Sequence, residues 1–306
     1  MKILVMGSGG VGGYFGARLA QGGADVTFVA RGAHAAAMRE HGLRLETPSG
    51  PIHLPKVQVV ERAADAPVPG VVLLCVKLWD SDDALRQIAP VVGPGTCVIS
   101  LQNGVLKEDA LGAAFPRAQR MGGVAYVATR ISRPGVITQT GPMQRLQFGE
   151  YDGARSKRAE ALLQACVAGG IHAEIADDIQ RVLWEKYVFL AALSGATTTM
   201  RKTIGPIRAH PQTRAFLLDL MREVVAVGRA HGVKLPADYA EQRLKLADDV
   251  DPGMTSSMHH DLDHGSRLEV RWLSGGVVEL GARVGIPTPL HRAVHDILVL
   301  HSGAPA

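Results

Sequence analysis

Residues 2 to 6 form a short apolar run ended by Gly7, the pattern of a strand buried on both faces. A helix is predicted from about Val11 to Gln21, stopped by Gly22-Gly23, and a second strand over Asp25 to Ala30. The chain thus opens directly on a β-α-β unit. The alternation continues with an unbroken apolar strand at Gly70 to Val76, a helix over 82 to 90 and a strand at Thr96 to Leu101. From Met121 to Phe148 the chain is rich in β-formers and carries Pro134-Gly135 and Gly141-Pro142, which predicts added antiparallel strands and turns. A helix at Ala154 to Val167 and a strand at His172 to Ile175 close this half. The predicted class is α/β, with an N-terminal Rossmann-type doubly wound parallel sheet.

Near Asp178 the character changes and strand signals vanish. Asp178 is a candidate N-cap for a helix reaching about Leu193. Pro211 opens a long helix whose Leu217, Leu220, Val224 and Val227 recur at helical spacing, and Gly232 ends it. Further helices are predicted at 237 to 249, 255 to 264, 268 to 284 and 289 to 301. The expectation is two domains: residues 1–177 binding a dinucleotide, and an all-helical substrate and dimerisation domain at 178–306. No internal repeat or low-complexity segment interrupts them.

Composition adds limits to this picture. With 306 residues, 46% hydrophobic and 20% charged, the chain can bury a substantial core. A net charge of +4 without a Lys/Arg block suits an anionic small molecule and not nucleic acid. Cys75, Cys97 and Cys166 lie far apart, which excludes a disulfide scaffold and fits a reducing compartment. The N-terminal apolar run is too short for a signal peptide, and no apolar stretch reaches the roughly 18 residues of a membrane helix. A soluble, cytoplasmic protein without a membrane partner is expected. The oligomeric state is not legible, and a homodimer through the helical domain is the working expectation.

Candidate chemistry begins at Gly7-Ser8-Gly9-Gly10-Val11-Gly12, a GxGxxG loop set between a strand and a helix. Gly7 permits the tight turn, Gly9 lets the backbone approach a pyrophosphate, and Gly12 lets helix and strand pack closely. The helix N-terminus offers free N–H groups and partial positive charge to phosphates. The second strand ends in Val29-Ala30-Arg31-Gly32, where NAD-selective loops usually place an acid. Arg31 cannot accept hydrogen bonds from ribose hydroxyls but pairs well with a 2′-phosphate, so NADP is the expected cofactor.

Four more segments complete a constellation. Val76-Lys77 and Leu101-Gln102-Asn103-Gly104 each end a core strand, where open α/β sheets bind ligands. Leu183-Trp184-Glu185-Lys186-Tyr187 lies early in the first helix of the second domain, and Ser256-Ser257-Met258 precedes Glu269. In this order, from Gly7 to Glu269, the chain resembles the ketopantoate reductase (2-dehydropantoate 2-reductase) family. The resemblance implies NADPH-dependent reduction of 2-dehydropantoate to pantoate. It implies Lys186 as the catalytic proton donor to the ketone oxygen and Glu269 as the acid near the nicotinamide ribose and reaction centre. By the same resemblance Ser257 contacts the substrate carboxylate, Asn103 and Lys77 lie on the cofactor side with Asn103 also near the substrate, and Arg31 meets the 2′-phosphate.

The chemistry is sensible on its own terms, because hydride addition to a ketone builds alkoxide charge that a nearby ammonium stabilises and protonates. One departure bears on the substrate. The family commonly carries asparagines one helical turn after the lysine and four residues later, where this chain has Leu190 and Ser194. Leu190 cannot bond a hydroxyl, and Ser194 reaches less far than an amide. A more apolar 2-keto acid is therefore the alternative substrate, and a non-catalytic NADP-binding regulatory protein the alternative role. His259-His260-Asp261-Leu262-Asp263-His264 lacks the HExxH glutamate and is read as a polar helix, with no metal site expected.

Overall fold

The computed structural model describes residues 1–303. It divides into two compact units, Met1–Gln102 with Lys107–Val182, and Asn103–Leu106 with the residues from Leu183 onward.

The first unit runs β1 (Lys2–Met6), α1 (Gly10–Gln21), β2 (Asp25–Val29), α2 (Gly32–His41), β3 (Leu43–Glu46), β4 (Ile52–Leu54), β5 (Gln58–Val60), β6 (Val71–Leu74), α3 (Ser81–Ile88), β7 (Cys97–Ser100), α4 (Lys107–Ala114), β8 (Arg120–Arg133), β9 (Val136–Gly149), α5 (Lys157–Ala168) and β10 (His172–Ile175). The strands form a mixed sheet in the order β4-β3-β9-β8-β7-β6-β1-β2-β5, and β10 pairs with β9. Strands β5, β2, β1, β6 and β7 are mutually parallel. From β1 the chain moves first toward β2 and β5, then returns to β6 and β7 on the other side. The edge between β1 and β6 is therefore the topological switch point.

Alternation explains why these strands read as continuous apolar runs. Ile3, Val5, Val71, Leu73, Cys97 and Ile99 face a core shared with Phe15 and Leu19 of α1, Met38 of α2 and Leu162 of α5. Leu4, Met6, Val72, Leu74 and Val98 face a second core with Leu85 and Ile88 of α3 and Leu111 of α4. Both faces are covered, so the strands are almost wholly apolar, and the buried polar side chains Thr27 of β2 and Ser100 of β7 are each hydrogen-bonded.

The β8–β9 hairpin turns at Pro134-Gly135, as expected, with Gly135 at φ 76°. Gly141-Pro142 is not a turn. It lies within β9, where the register jumps from Val127↔Gln144 to Thr129↔Gln139 and the extra residues bulge outward. Gln139 Nε2 donates to the carbonyls of Gly141 and Met143 at 2.9 and 3.2 Å and closes the bulge.

The second unit holds α6 (Ile179–Met200) beyond its first turn, then α7 (Ile204–Ala209), α8 (Pro211–Ala230), α9 (Tyr239–Asp249), α10 (Ser257–Asp263), α11 (Ser274–Arg283) and α12 (Pro289–Leu298). Among its described residues there is no strand. Asp178 caps α6 by accepting from the Arg181 amide at 3.0 Å. The first turn belongs to the sheet unit because Ile179 sits where a Cβ on Gly122 of β8 would be, 2.6 Å from it. The division thus falls at residue 182, slightly beyond the expected 177. Helix α6 also runs past Leu193, since Ala191 to Thr198 are all buried. The helix expected from residue 268 starts only at Ser274, and Glu269 lies in the turns before it.

Leu217, Leu220, Met221 and Val224 of α8 form the centre of this unit. The Glu223 carboxylate accepts from the amides of Leu290 and His291 at 2.8 and 3.0 Å, so α8 caps the start of α12 with negative charge.

Candidate active site

In the sheet unit, the glycine loop lies at the switch point. Gly7 has φ 95°, and a Cβ there would lie 2.7 Å from the Val76 amide nitrogen beyond β6. A Cβ on Gly12 would lie 2.1 Å from the Gly7 carbonyl oxygen, so the first turn of α1 sits directly on the loop. Gly9, the N-cap of α1, has nothing within 4 Å of its Cβ direction, and no side chain caps the helix. The result is open space beside the uncapped start of α1, which suits the approach of a pyrophosphate. Gly10 differs, because its Cβ direction is filled by the Thr129 carbonyl oxygen of β8 at 2.5 Å.

Two side chains of the motif turn inward. Ser8 Oγ donates to the Val29 carbonyl at 3.0 Å, and Val11 packs against the core. The Ser8 amide donates to the same carbonyl at 3.2 Å, so of the two only the Val11 amide is left to face a phosphate. Arg31 occupies the N-cap position of α2, at the end of β2. It is 65% exposed and meets Asp83 at 3.4 Å, a surface pair weak enough to yield to a phosphate. Lys77 is exposed beyond β6, with Nζ 5.4 Å from the Trp79 ring centroid.

His34, which sequence patterning does not single out, braces this loop. Its Nε2 donates to the Ser8 carbonyl at 3.0 Å, and its Nδ1 accepts from the Gly135 amide at 3.1 Å. Burial holds its pKa below the usual histidine value, which favours the neutral ring that can do both.

In the helical unit, Lys186 Nζ donates to Asn103 Oδ1 at 2.8 Å, which joins residues 83 positions apart. The next residue, Tyr187, is buried and donates its hydroxyl to the carbonyls of Leu273 and Trp272 at 2.7 and 3.3 Å. This locks α6 to the turns that carry Glu269, which is 7% exposed. Leu190 and Ser194 follow Lys186 at four-residue steps, on one stripe of α6. Leu190 is partly exposed, whereas Ser194 is wholly enclosed and its hydroxyl has no protein partner.

Ser257 is exposed as the first residue of α10. Its neighbour Ser256 does the capping: its Oγ accepts from the His259 amide at 3.1 Å and lies 3.0 Å from Thr197 Oγ1 of α6. The histidines that follow are engaged locally. His259 Nδ1 is 2.6 Å from Thr255 Oγ1, and His264 Nδ1 donates to the His260 carbonyl at 2.7 Å. Among the described residues no three His, Cys, Asp or Glu side chains are placed to hold a metal ion. No helix among the described residues is long and apolar enough to cross a membrane.

Residues 3–153 match the family described as Ketopantoate reductase PanE/ApbA, and residues 178–301 match its C-terminal part. A 2-dehydropantoate 2-reductase of Mesorhizobium japonicum is 34% identical over 96% of this chain and 95% of its own length. The chain belongs to the ketopantoate reductase PanE/ApbA family. The crystal structure of a family ketopantoate reductase from Ralstonia eutropha JMP134 superposes with a TM-score of 0.89 at 31% identity, over 99% of this chain and 98% of that one. A D-mandelate dehydrogenase solved with NADH and anilino(oxo)acetate shares the fold, with a TM-score of 0.88 at 19% identity over 99% and 98% of the two chains.

Proposed function

We propose that this protein is an NADPH-dependent reductase of a small 2-keto acid, with 2-dehydropantoate as the first substrate to consider. The observation that carries the reading is the lysine held by a carboxamide, Lys186 Nζ on Asn103 Oδ1, in a chain whose glycine loop also leaves open space at Gly9. NADP would be held at the Gly7–Gly12 loop by the backbone of Gly7, Gly9, Gly10, Val11 and Gly12, with Ser8 fixing the loop to Val29, Arg31 at the 2′-phosphate and Lys77 and Asn103 beside the cofactor. In its reduced form, NADPH, it would supply the hydride and leave as NADP+.

The chain's own residues supply the rest. As negative charge develops on the keto oxygen, Lys186 Nζ gives it a proton, and the ketone ends as a hydroxyl. Asn103 fixes the direction of the ammonium by accepting one of its protons. Glu269, buried beside the Tyr187 anchor, is the acid that orients this group and the ribose. Ser257 offers an exposed hydroxyl to the substrate carboxylate.

The second reading concerns the substrate's tail. Leu190 is partly exposed one turn beyond Lys186, and Ser194 has no exposed surface. A stripe of this kind favours an apolar tail over a hydroxylated one, since a site without a partner for a hydroxyl gains nothing from it. The test is a ranking of kcat/KM with NADPH across 2-dehydropantoate and branched, linear and aromatic 2-keto acids, with each product identified by mass. Pantoate formation as the fastest reaction supports the first reading. A faster unhydroxylated acid supports the second, and absence of turnover with every acid would defeat both.

A further inference from the structure

Lys107 is a lysine where the fold leaves no solvent. Its side chain is 1% exposed, and Nζ donates to the Ser100 and Gly123 carbonyls at 2.7 Å each. The ladder between β7 and β8 ends at Ile99↔Met121, and Lys107 takes one carbonyl from each strand just beyond that pair. Glu108 Oε1 lies 3.9 Å from Nζ, and Tyr151 donates its hydroxyl to the other carboxylate oxygen. Burial lowers the lysine pKa to about 8, so the ammonium is kept at a cost. A methionine would fill the same space without that cost, which points to a need for directed bonds at this position.

The place of Lys107 in the chain suggests the need. The backbone leaves the sheet unit after Gln102 and re-enters it at Lys107, and the four residues between them belong to the helical unit. Both flanks are tied by side chains. Gln102 Nε2 donates to the Val76 carbonyl and Ser81 Oγ at 3.0 and 2.8 Å, while its Oε1 accepts from Ser100 Oγ at 2.9 Å. The excursion clamped in this way begins with Asn103, the partner of Lys186.

We propose that Lys107 is a positioning residue for the reduction: by splinting the Ser100 and Gly123 carbonyls it fixes the base of the Gln102–Lys107 excursion, and with it the Asn103 carboxamide that directs Lys186. This rests on Lys186 being the proton donor. With its side chain enclosed, Lys107 acts through Asn103 and not by touching a ligand itself.

The test is a double-mutant cycle on the full-length protein with Lys107→Met, Asn103→Ala and both together. The readouts are kcat, KM for the keto acid, NADPH affinity by fluorescence, and melting temperature. Lys107→Met is expected to lower kcat about tenfold, as a small misplacement of a catalytic group does, with NADPH affinity held within about twofold. In the Asn103→Ala background the same change should alter kcat by less than about twofold, because the two residues then act through one group. Effects on kcat that multiply, or a lower melting temperature with unchanged kcat, would overturn the proposal. If Lys107→Met does not fold, Gln102→Leu carries the same cycle at the other flank. Lys186→Ala separates the two ideas: full activity there defeats the proton-donor reading, whereas an inactive Lys186→Ala beside a fully active Lys107→Met defeats the clamp alone.

Discussion

The glycine loop makes opposite demands at two of its glycines, and this can be measured. Gly9 has φ −70° and open space in its Cβ direction, so an alanine fits the folded chain. The loss of backbone freedom in the unfolded state, worth about 0.4–1 kcal/mol, is offset by alanine being a poorer N-cap than glycine, so the stability of Gly9→Ala should change by less than about 1 kcal/mol. Its methyl, however, projects into the open space where the phosphates would lie, and NADPH affinity should fall at least about tenfold, or about 1.4 kcal/mol. Gly12→Ala is the reverse case. Its methyl would lie 2.1 Å from the Gly7 carbonyl oxygen and 2.9 Å from Val5 Cγ1 and Cys75 Cβ. Backbone cannot rotate aside as a side chain does, so a destabilisation of about 1–3 kcal/mol or more is expected. Urea unfolding and NADPH fluorescence titration on both variants give the four numbers. Normal NADPH binding by Gly9→Ala would refute the reasoning, since the open space would then not be where the phosphates lie.

Other expectations are narrower. Arg31→Ala should raise KM for NADPH about 10- to 100-fold, the worth of one or two charged hydrogen bonds, and leave KM for NADH nearly unchanged. An equal rise for both would remove Arg31 from the 2′-phosphate. Leu190→Asn should move the kcat/KM ranking toward hydroxylated keto acids, and an unmoved ranking would show that this stripe does not meet the substrate tail. His291 is wholly buried, with Nε2 on the Leu220 carbonyl and a pKa pushed down to about 4. The unfolded chain takes up this proton near its ordinary value of 6.5, so it binds more protons than the folded chain between those limits. Stability should therefore be lost as the pH is lowered through that window, by about 2 kcal/mol from this group at about pH 5 relative to neutral pH. His34 is shifted the same way, so the contribution of His291 is the part of the urea-midpoint change that His291→Asn abolishes.

The parts of this protein that could be read from sequence are those governed by local period and by glycine. The β1–α1–β2 unit, the Asp178 cap and the long α8 follow from apolar spacing and capping residues alone. The short strands β3 to β5 did not show, because they are three or four residues long and β3 and β4 alternate with Arg44, Glu46 and His53. Gly141-Pro142 resembles a turn, yet the long hairpin carries it as a bulge closed by Gln139, a contact no local pattern encodes. Val270, Leu273, Val277 and Leu280 have helical spacing, but Tyr187 takes the carbonyls of Trp272 and Leu273, and the helix begins after them. The site divides along the same line. Gly7 to Gly12 and Arg31 are visible as motifs. The Lys186–Asn103 pair, the His34 brace and the Lys107 clamp join positions between 7 and 101 residues apart, and only the folded chain brings them together.

The central claim, reduction of a 2-keto acid by NADPH with Lys186 as proton donor, is tested most directly by NADPH consumption in Lys186→Ala beside the parent protein. The keto acid should be the one the parent turns over fastest, and NADPH binding should be measured in parallel. The account expects binding within about twofold and kcat lower by about 10²–10⁴, the usual worth of a general acid. A Lys186→Ala protein that binds NADPH normally and keeps the parent kcat would contradict it.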